Sequence, residues 1–309
     1  MENLADCIRM WMIDYKKNSV KPSTYDRLIV SRKLLERYAL AWMPTDRITV
    51  DDIQRFVNEL VRDGYAWTTI KKEYSLLTAF YKFAYSRGLS STLPYVGVEL
   101  PREENVKKPR KDIDIFAPWE QECLKRVLYT LEDVSYAAGI LMLETGMRVG
   151  ETLALEWDDI LWNRRAIRVS KTLVRLGGVN GWMFVQRNPK SKSSIRTIPM
   201  SKNAEGLLRR ILSFRKTENP YLFPNENDPK LPISYDALRY RLQSAFSKAN
   251  VEYRGFHTFR HTFASNCYGK GCDVKILSKL LGHRDASITY NIYIHLFGDD
   301  LEEMRKVID

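Results

Sequence analysis

Residues 255–297 read GFHTFRHTFASNCYGKGCDVKILSKLLGHRDASITYNIYIHLF, and all four histidines of the 309-residue chain (His257, His261, His283, His295) fall inside this stretch. Histidine exchanges protons or donates to oxyanions near neutral pH, so confining so rare a residue to one window says more than its presence. Within FHTFRH, His257 and Arg260 stand three apart, which puts both on one face of a helix or on its first turn. LSKLLGH ends a helix at Gly282, where glycine supplies a left-handed cap and leaves His283 just outside. Ten residues on comes Tyr293, in SITYNIYIHLF. Tyr290, Tyr293 and Phe297 share a helical face, and for any one tyrosine there core packing is the plainer reading. Zinc is a poor fit for His257 and His261: the pair lacks the glutamate of the metalloprotease motif and encloses Arg260. Cys267 and Cys272, five apart with no second pair, do not restore it.

Upstream, LMLETGMRVGETLALEWDDI (141–160) sets Arg148 between Gly146 and Gly150. Gly146 ends one helix and a new one runs through Arg148 towards Leu155. That arginine is either a salt-bridged helix start or a side chain turned into a pocket. NPKSKSSIRTIPM (188–200) offers Lys190 and Lys192 in a turn before a strand, where a Lys-Ser run is ordinarily just solvated. RRAIRVSKTLV (164–174), GWMFVQ (181–186) and SIRTIPM (194–200) read as three short strands of one antiparallel sheet. Helices are expected over about 118–130, 133–145, 202–217, 234–249, 258–268, 273–281 and 287–297.

The first hundred residues read as a bundle of about four helices. Ser23-Thr24 is a candidate cap for a helix with Leu28, Leu34, Leu35 and Tyr38 on its apolar face. Thr49 precedes a run in which Ile53, Phe56, Val57 and Leu60 recur at helical spacing before Gly64, and Leu76, Leu77, Phe80, Tyr81 and Ala84 form another stripe before Gly88. Prolines 94, 101 and 109 then break the pattern. From Arg102 through Lys111 five basic residues stand against two acidic ones, which reads as a solvated linker, with Lys107 and Lys108 placed to lie along a phosphate backbone. The expected fold is mainly α with a small antiparallel β-sheet, an α+β chain of two domains: 1–100 helical, 101–112 a basic linker, 113–309 mixed.

Composition narrows the function. Lys plus Arg exceeds Asp plus Glu by 49 − 38 = 11, an excess that favours a polyanionic partner, nucleic acid ahead of a membrane surface. No apolar run approaches the roughly 18 residues of a membrane span. The N-terminus carries charges within its apolar part, unlike a secretory signal, and four scattered cysteines suit a reducing compartment.

Taken in order, TGMRVGE, PKSKSSIRTIP, FHTFRH, LGH and NIYIH resemble the tyrosine recombinases, or phage-type integrases. The resemblance runs from about 114 to 300, and the helical N-terminal part is similar in size and position to the family's SAM-like core-binding domain. It implies phosphoryl transfer without metal, ATP or other cofactor. Arg148 and Arg260 match the two arginines that hold the non-bridging oxygens of a scissile phosphate. His257 matches the proton acceptor and His283 the histidine that donates to a phosphate oxygen. Lys190, with Lys192 as alternative, matches the acid that protonates the leaving 5′-oxygen. Tyr293 matches the nucleophile, whose attack leaves a 3′-phosphotyrosyl link and a free 5′-hydroxyl, so that rejoining needs no nucleotide; no GxxxxGK[ST] loop occurs. Glu151 resembles the acidic residue that buttresses the pocket.

The resemblance further implies double-stranded DNA sites as partner, a tetramer on DNA, possible accessory bending or directionality proteins, and a cytoplasmic, nucleoid-associated place. The segment after Tyr293 is expected to pack on a neighbouring protomer. Lys71, Lys72, Arg239 and Arg241 are candidates for DNA contact. Many integrases carry a further small arm-binding domain; this chain starts almost at the core-binding helices, which favours a Xer-like resolution enzyme or a mobile-element integrase. A non-catalytic DNA-binding regulator on the same fold, or a type IB topoisomerase or telomere resolvase, are the competing readings.

Overall fold

A computed structural model describes residues 2–106, 114–130, 133–175, 183–186, 195–215 and 219–293. Lys107, Lys108, Lys190, Lys192 and His295 lie outside the described residues. The chain divides into two compact units, one containing residues 2–106 and the other the described residues from 114 onward.

In the first unit, α1 (Leu4–Trp11), α2 (Pro22–Leu35), α3 (Val50–Arg62) and α4 (Trp67–Ser86) enclose one core. Helix α3 starts as its sequence dictates. Thr49 Oγ1 accepts from the Asp52 amide and Asp52 accepts from the Thr49 amide, satisfying two donors that the first turn leaves open. Its stripe Ile53, Phe56, Val57 and Leu60 is buried, each such side chain contributing about 1.5–3 kcal/mol. Helix α2 departs from expectation. It begins at Pro22 behind Lys21 and has no side-chain cap; proline presets the first helical φ and lacks only an amide that would go unpaired. Tyr38 lies beyond its end.

The expected linker is partly structured. Within 101–112, Val106 packs against the first unit's core, as Tyr95, Val98 and Leu100 do just before it, Trp67 Nε1 donates to Pro101 O (3.1 Å), and Glu103–Val106 forms the single turn α5. Apolar residues hidden among the charges anchor this stretch, which its polar average obscured.

The second unit is built around α7 (Ala137–Thr145), buried at every position but Glu144; a helix apolar all round belongs in a core. Helices α6 (Pro118–Thr130), α9 (Lys202–Ser213), α10 (Tyr235–Lys248) and α11 (Phe256–Tyr268) surround it. Phe116, Phe246 and Phe259 meet at ring centroids 5.2–5.8 Å apart, within the range where aromatic pairs add to simple burial. Helices α8 (Val149–Leu153), α12 (Val274–Leu281) and α13 (Ala286–Tyr293) carry the segments of interest.

The single three-stranded sheet expected from the sequence is instead two. Strands β1 (Ile160–Leu161), β2 (Ala166–Val169) and β5 (Arg196–Pro199) form one antiparallel sheet in the order β1-β2-β5, while β3 (Thr172–Arg175) pairs with β4 (Met183–Gln186) as a separate hairpin. RRAIRVSKTLV therefore breaks after Val169. Lys171, only 8% exposed, is drawn to Glu156 (2.8 Å) and to Asp159 (2.7 Å), which is fully buried. This pairing takes the chain out of the first sheet before β3 begins. No helix among the described residues is long and apolar enough to cross a membrane.

Candidate functional site

Two left-handed glycines build the pocket. Gly146 (φ 63°) closes α7, and a Cβ there would lie 2.3 Å from the Phe263 ring. The chain turns at once, so that Arg148 becomes the N-cap residue of α8. Gly282 (φ 67°) closes α12, with the His283 amide donating back to Ser278 O (3.1 Å) in the manner of a Schellman turn. Both turns are needed because side chains at a helix end otherwise follow the helix.

Arg260, on α11, joins them. It is 6% exposed; Nη1 donates to Gly146 O (2.8 Å) and Nη2 to Leu281 O (2.7 Å) and to His283 Nε2 (2.8 Å). One guanidinium thus satisfies carbonyls at two helix ends, where the backbone leaves acceptors open and the dipole favours a cation. A guanidinium is only a donor, so His283 Nε2 accepts. Its proton is on Nδ1, which donates to Thr289 Oγ1 (2.7 Å) on α13. Nε2 therefore carries a lone pair that faces Arg260. Burial, then the charges of Arg260, Arg148 and Arg196, push its pKa down to about 4, keeping it neutral.

His257 lies in the first turn of α11. Burial, with Arg260 and Arg148, lowers its pKa as well, leaving a neutral imidazole with basic nitrogen available. His261 lies one turn on, its ring centroid 6.4 Å from that of His257. Burial, His257 and Arg260 bring it down to about 4.

Glu151 orders the rest. It is 6% exposed and accepts from the Arg148 amide (2.9 Å), from Arg148 Nη1 (2.8 Å), and from Arg196 Nη1 (3.1 Å) and Nη2 (2.8 Å). Burial would raise its pKa, but the hydrogen bonds and charge of Arg196, then Arg148, hold it at about 2. Arg148 keeps 39% of its side chain exposed, so part of its guanidinium stays open to a ligand. The salt-bridged helix start is the reading of Arg148 that the structure shows.

The structure thus brings together Arg148, Glu151, His257, Arg260 and His283. Tyr293 ends α13, whose Thr289 is bonded to His283; Tyr290 is 52% exposed. Sequence reasoning missed Arg196, Thr289 and His261. A signal for the first existed in its place opening a strand two residues after the Lys-Ser run. Among the described residues no group of His, Cys, Asp and Glu has the geometry to hold a metal ion.

The DNA-contact candidates separate. Lys71 lies over the Trp67 ring (4.6 Å) and, with Lys72, is exposed on α4. Arg239 is half-exposed beside Asp236. Arg241 is a correction: Asp133 (3.0 Å), Glu226 and Ser135 Oγ (3.0 Å) hold its guanidinium. Two positions from Arg239, it lies on a different face of α10, where these three acceptors engage it.

Comparison with known proteins gives the family and the fold. Residues 120–299 match the Phage integrase family, and residues 23–88 match the Phage integrase N-terminal SAM-like domain. A XerC-like tyrosine recombinase of Caldanaerobacter subterraneus subsp. tengcongensis is 28% identical, over 95% of this chain and 79% of the relative. The transposase of transposon Tn916 from Enterococcus faecalis is 24% identical, over 94% and 75%. The structure of the Tn1549 transposon integrase in complex with a circular-intermediate DNA superposes with a TM-score of 0.79, covering all of both chains at 21% identity, which establishes the shared fold.

Proposed function

The chain belongs to the phage integrase family, and from that membership we propose that it recombines DNA at specific sites with Tyr293 as nucleophile. It is a tyrosine recombinase, a DNA strand-transfer enzyme. One observation supports the assignment of residues: Arg148, Arg260, His257 and His283, from three separate segments, lie close enough that the two arginines lower the pKa of both histidines. Position 293 falls one turn after Thr289 on the same side of α13.

In this reading Arg260 and the open part of Arg148 receive the non-bridging oxygens of the scissile phosphate and stabilise charge that builds as phosphorus becomes five-coordinate. The Tyr293 hydroxyl attacks phosphorus while His257, kept neutral, takes its proton. A phenol of pKa about 10 needs such a base beside cations. The bond from phosphorus to O5′ breaks, and Lys190, or Lys192, returns a proton to the leaving oxygen. His283 begins as an acceptor from Arg260; a bound phosphate anion raises its proton affinity and turns it into a donor to oxygen. The reverse sequence with another strand's 5′-hydroxyl completes exchange. No nucleotide enters the balance, because the phosphotyrosyl link retains the bond energy.

Double-stranded DNA is the partner, supported by family membership and by the net charge of +11. Exchange between two duplexes calls for four active sites, hence a tetramer on DNA, with accessory bending proteins a further possibility and a cytoplasmic, nucleoid-associated setting. Integration or excision of a mobile element and resolution of DNA both fit, and the domains act as a core-binding part (1–100), a linker (101–112) and a catalytic part (113–309).

The test is a nicked suicide substrate. Wild type traps a covalent adduct, Tyr293→Phe traps none, and Tyr290→Phe behaves as wild type. Adduct formation by Tyr293→Phe but not Tyr290→Phe reverses the assignment.

A further inference from the structure

We propose that Arg196 is a positioning residue for this pocket, tying the carboxylate that holds Arg148 to the helix end that presents His283. The inference deepens the recombinase reading and rests on it.

Arg196 opens β5, paired with Val169 of β2, and its side chain is 7% exposed. All three of its nitrogens donate. Nε reaches Leu280 O at 2.6 Å, Nη1 reaches Glu151 Oε1 at 3.1 Å and Nη2 reaches Glu151 Oε2 at 2.8 Å. The last two form the parallel fork that only a planar guanidinium makes with a carboxylate. Glu151 in turn fixes the amide and Nη1 of Arg148.

On the other side, Leu280 and Leu281 carry successive carbonyls at the end of α12. Arg196 takes the first and Arg260 the second. The turn that follows is fitted to Arg196: a Cβ on Gly282 would lie 2.9 Å from Arg196 Nη1 and 3.1 Å from its Cδ. One buried side chain therefore sets the separation of Arg148 from His283, residues that lie 135 positions apart in the chain. Its hydrogen bonds among the described residues go to neither; its charge is felt at the His283 ring, while its hold on their placement runs through Glu151 and the α12 end. A lysine keeps the charge but cannot bond both carboxylate oxygens and Leu280 O together.

The experiment uses the full chain with Arg196→Lys, Arg196→Gln, Glu151→Gln and the double variant Glu151→Gln/Arg196→Gln. Binding to a single site, thermal unfolding and the single-turnover rate of adduct formation on the nicked substrate are measured together. For Arg196→Lys we expect binding and melting temperature close to wild type, with adduct formation slower on the order of 100-fold, the cost of misplacing a reacting group by about 1 Å. The double variant is expected to be no slower than the slower single variant, because both changes cut one connection. If wild type forms adduct and Arg196→Lys matches its rate, the proposal is overturned. Loss of binding and melting temperature in proportion to rate for Arg196→Lys, or multiplicative losses in the double variant, overturns it too. If wild type itself forms no Tyr293 adduct, the recombinase reading fails instead.

Discussion

Arg260 Nη2 lies 2.8 Å from His283 Nε2, and because the guanidinium can only donate, the imidazole is fixed with its proton on Nδ1, facing Thr289. The ring is thereby held neutral between a cation and a hydroxyl.

Stability should respond to acid through these rings. His283 and His261 have folded-state pKa values near 4, below the ordinary 6.5, so the unfolded chain binds protons first as pH falls. Their neutral burial stabilises the fold above pH 6.5, and this contribution is lost progressively between about 6.5 and 4. Melting temperature followed from pH 7 to 4 should fall for wild type and fall less steeply for His283→Gln.

Thr289→Val removes the acceptor for His283 Nδ1–H without changing side-chain shape. Thr289 is 1% exposed, so the imidazole N–H loses its partner in a buried place, at a cost of about 1–3 kcal/mol. Denaturant unfolding should show that loss, together with slower adduct formation. An unchanged midpoint would contradict the assigned tautomer.

Arg260→Lys should be damaging on both counts. An ammonium cannot span Gly146 O, Leu281 O and His283 at once. We expect adduct formation to fall by about 100-fold or more, and DNA binding by much less, measured by single-turnover trapping and by titration of one site.

Gly282→Ala combines an unfavourable φ of 67° with a Cβ crowding the Arg196 guanidinium. Left-handed backbone alone costs about 1–2 kcal/mol for a residue with a Cβ. Chemical denaturation should show at least this loss, and more than Gly64→Ala, where the φ is 74° but space is open.

Salt titration separates the basic candidates. Lys72→Gln should lower the slope of log K against log salt by about 0.9, the value for one phosphate contact. Arg241→Gln, which breaks pairs to Asp133 and Glu226, should lower the melting temperature and leave the slope unchanged.

Much of the architecture was legible because its causes are local. The capping box at Thr49, the stripe from Ile53 to Leu60 and the two glycine caps each depend on residues within a turn or two of one another. Where reading failed, the cause was remote. Lys171 leaves the first sheet for Glu156 and Asp159, which alternation of side chains does not encode, and Val106 packs on a core drawn from Leu4 to Ala84.

The same division runs through the site. Sequence by itself determined most of the helices, the glycine ends at Gly146 and Gly282, and that Arg148, His257, Arg260, His283 and Tyr293 stand in an order similar to one family, since period, glycine placement and motif order are one-dimensional. Only the tertiary structure decided that Arg260 closes two helix ends, that His283 begins as an acceptor, that Arg241 is held by carboxylates, and that Arg196 is wedged between Glu151 and Leu280. Those facts rest on hydrogen bonds and ion pairs between groups 15 to 114 residues apart, whose distances and directions are fixed by core packing.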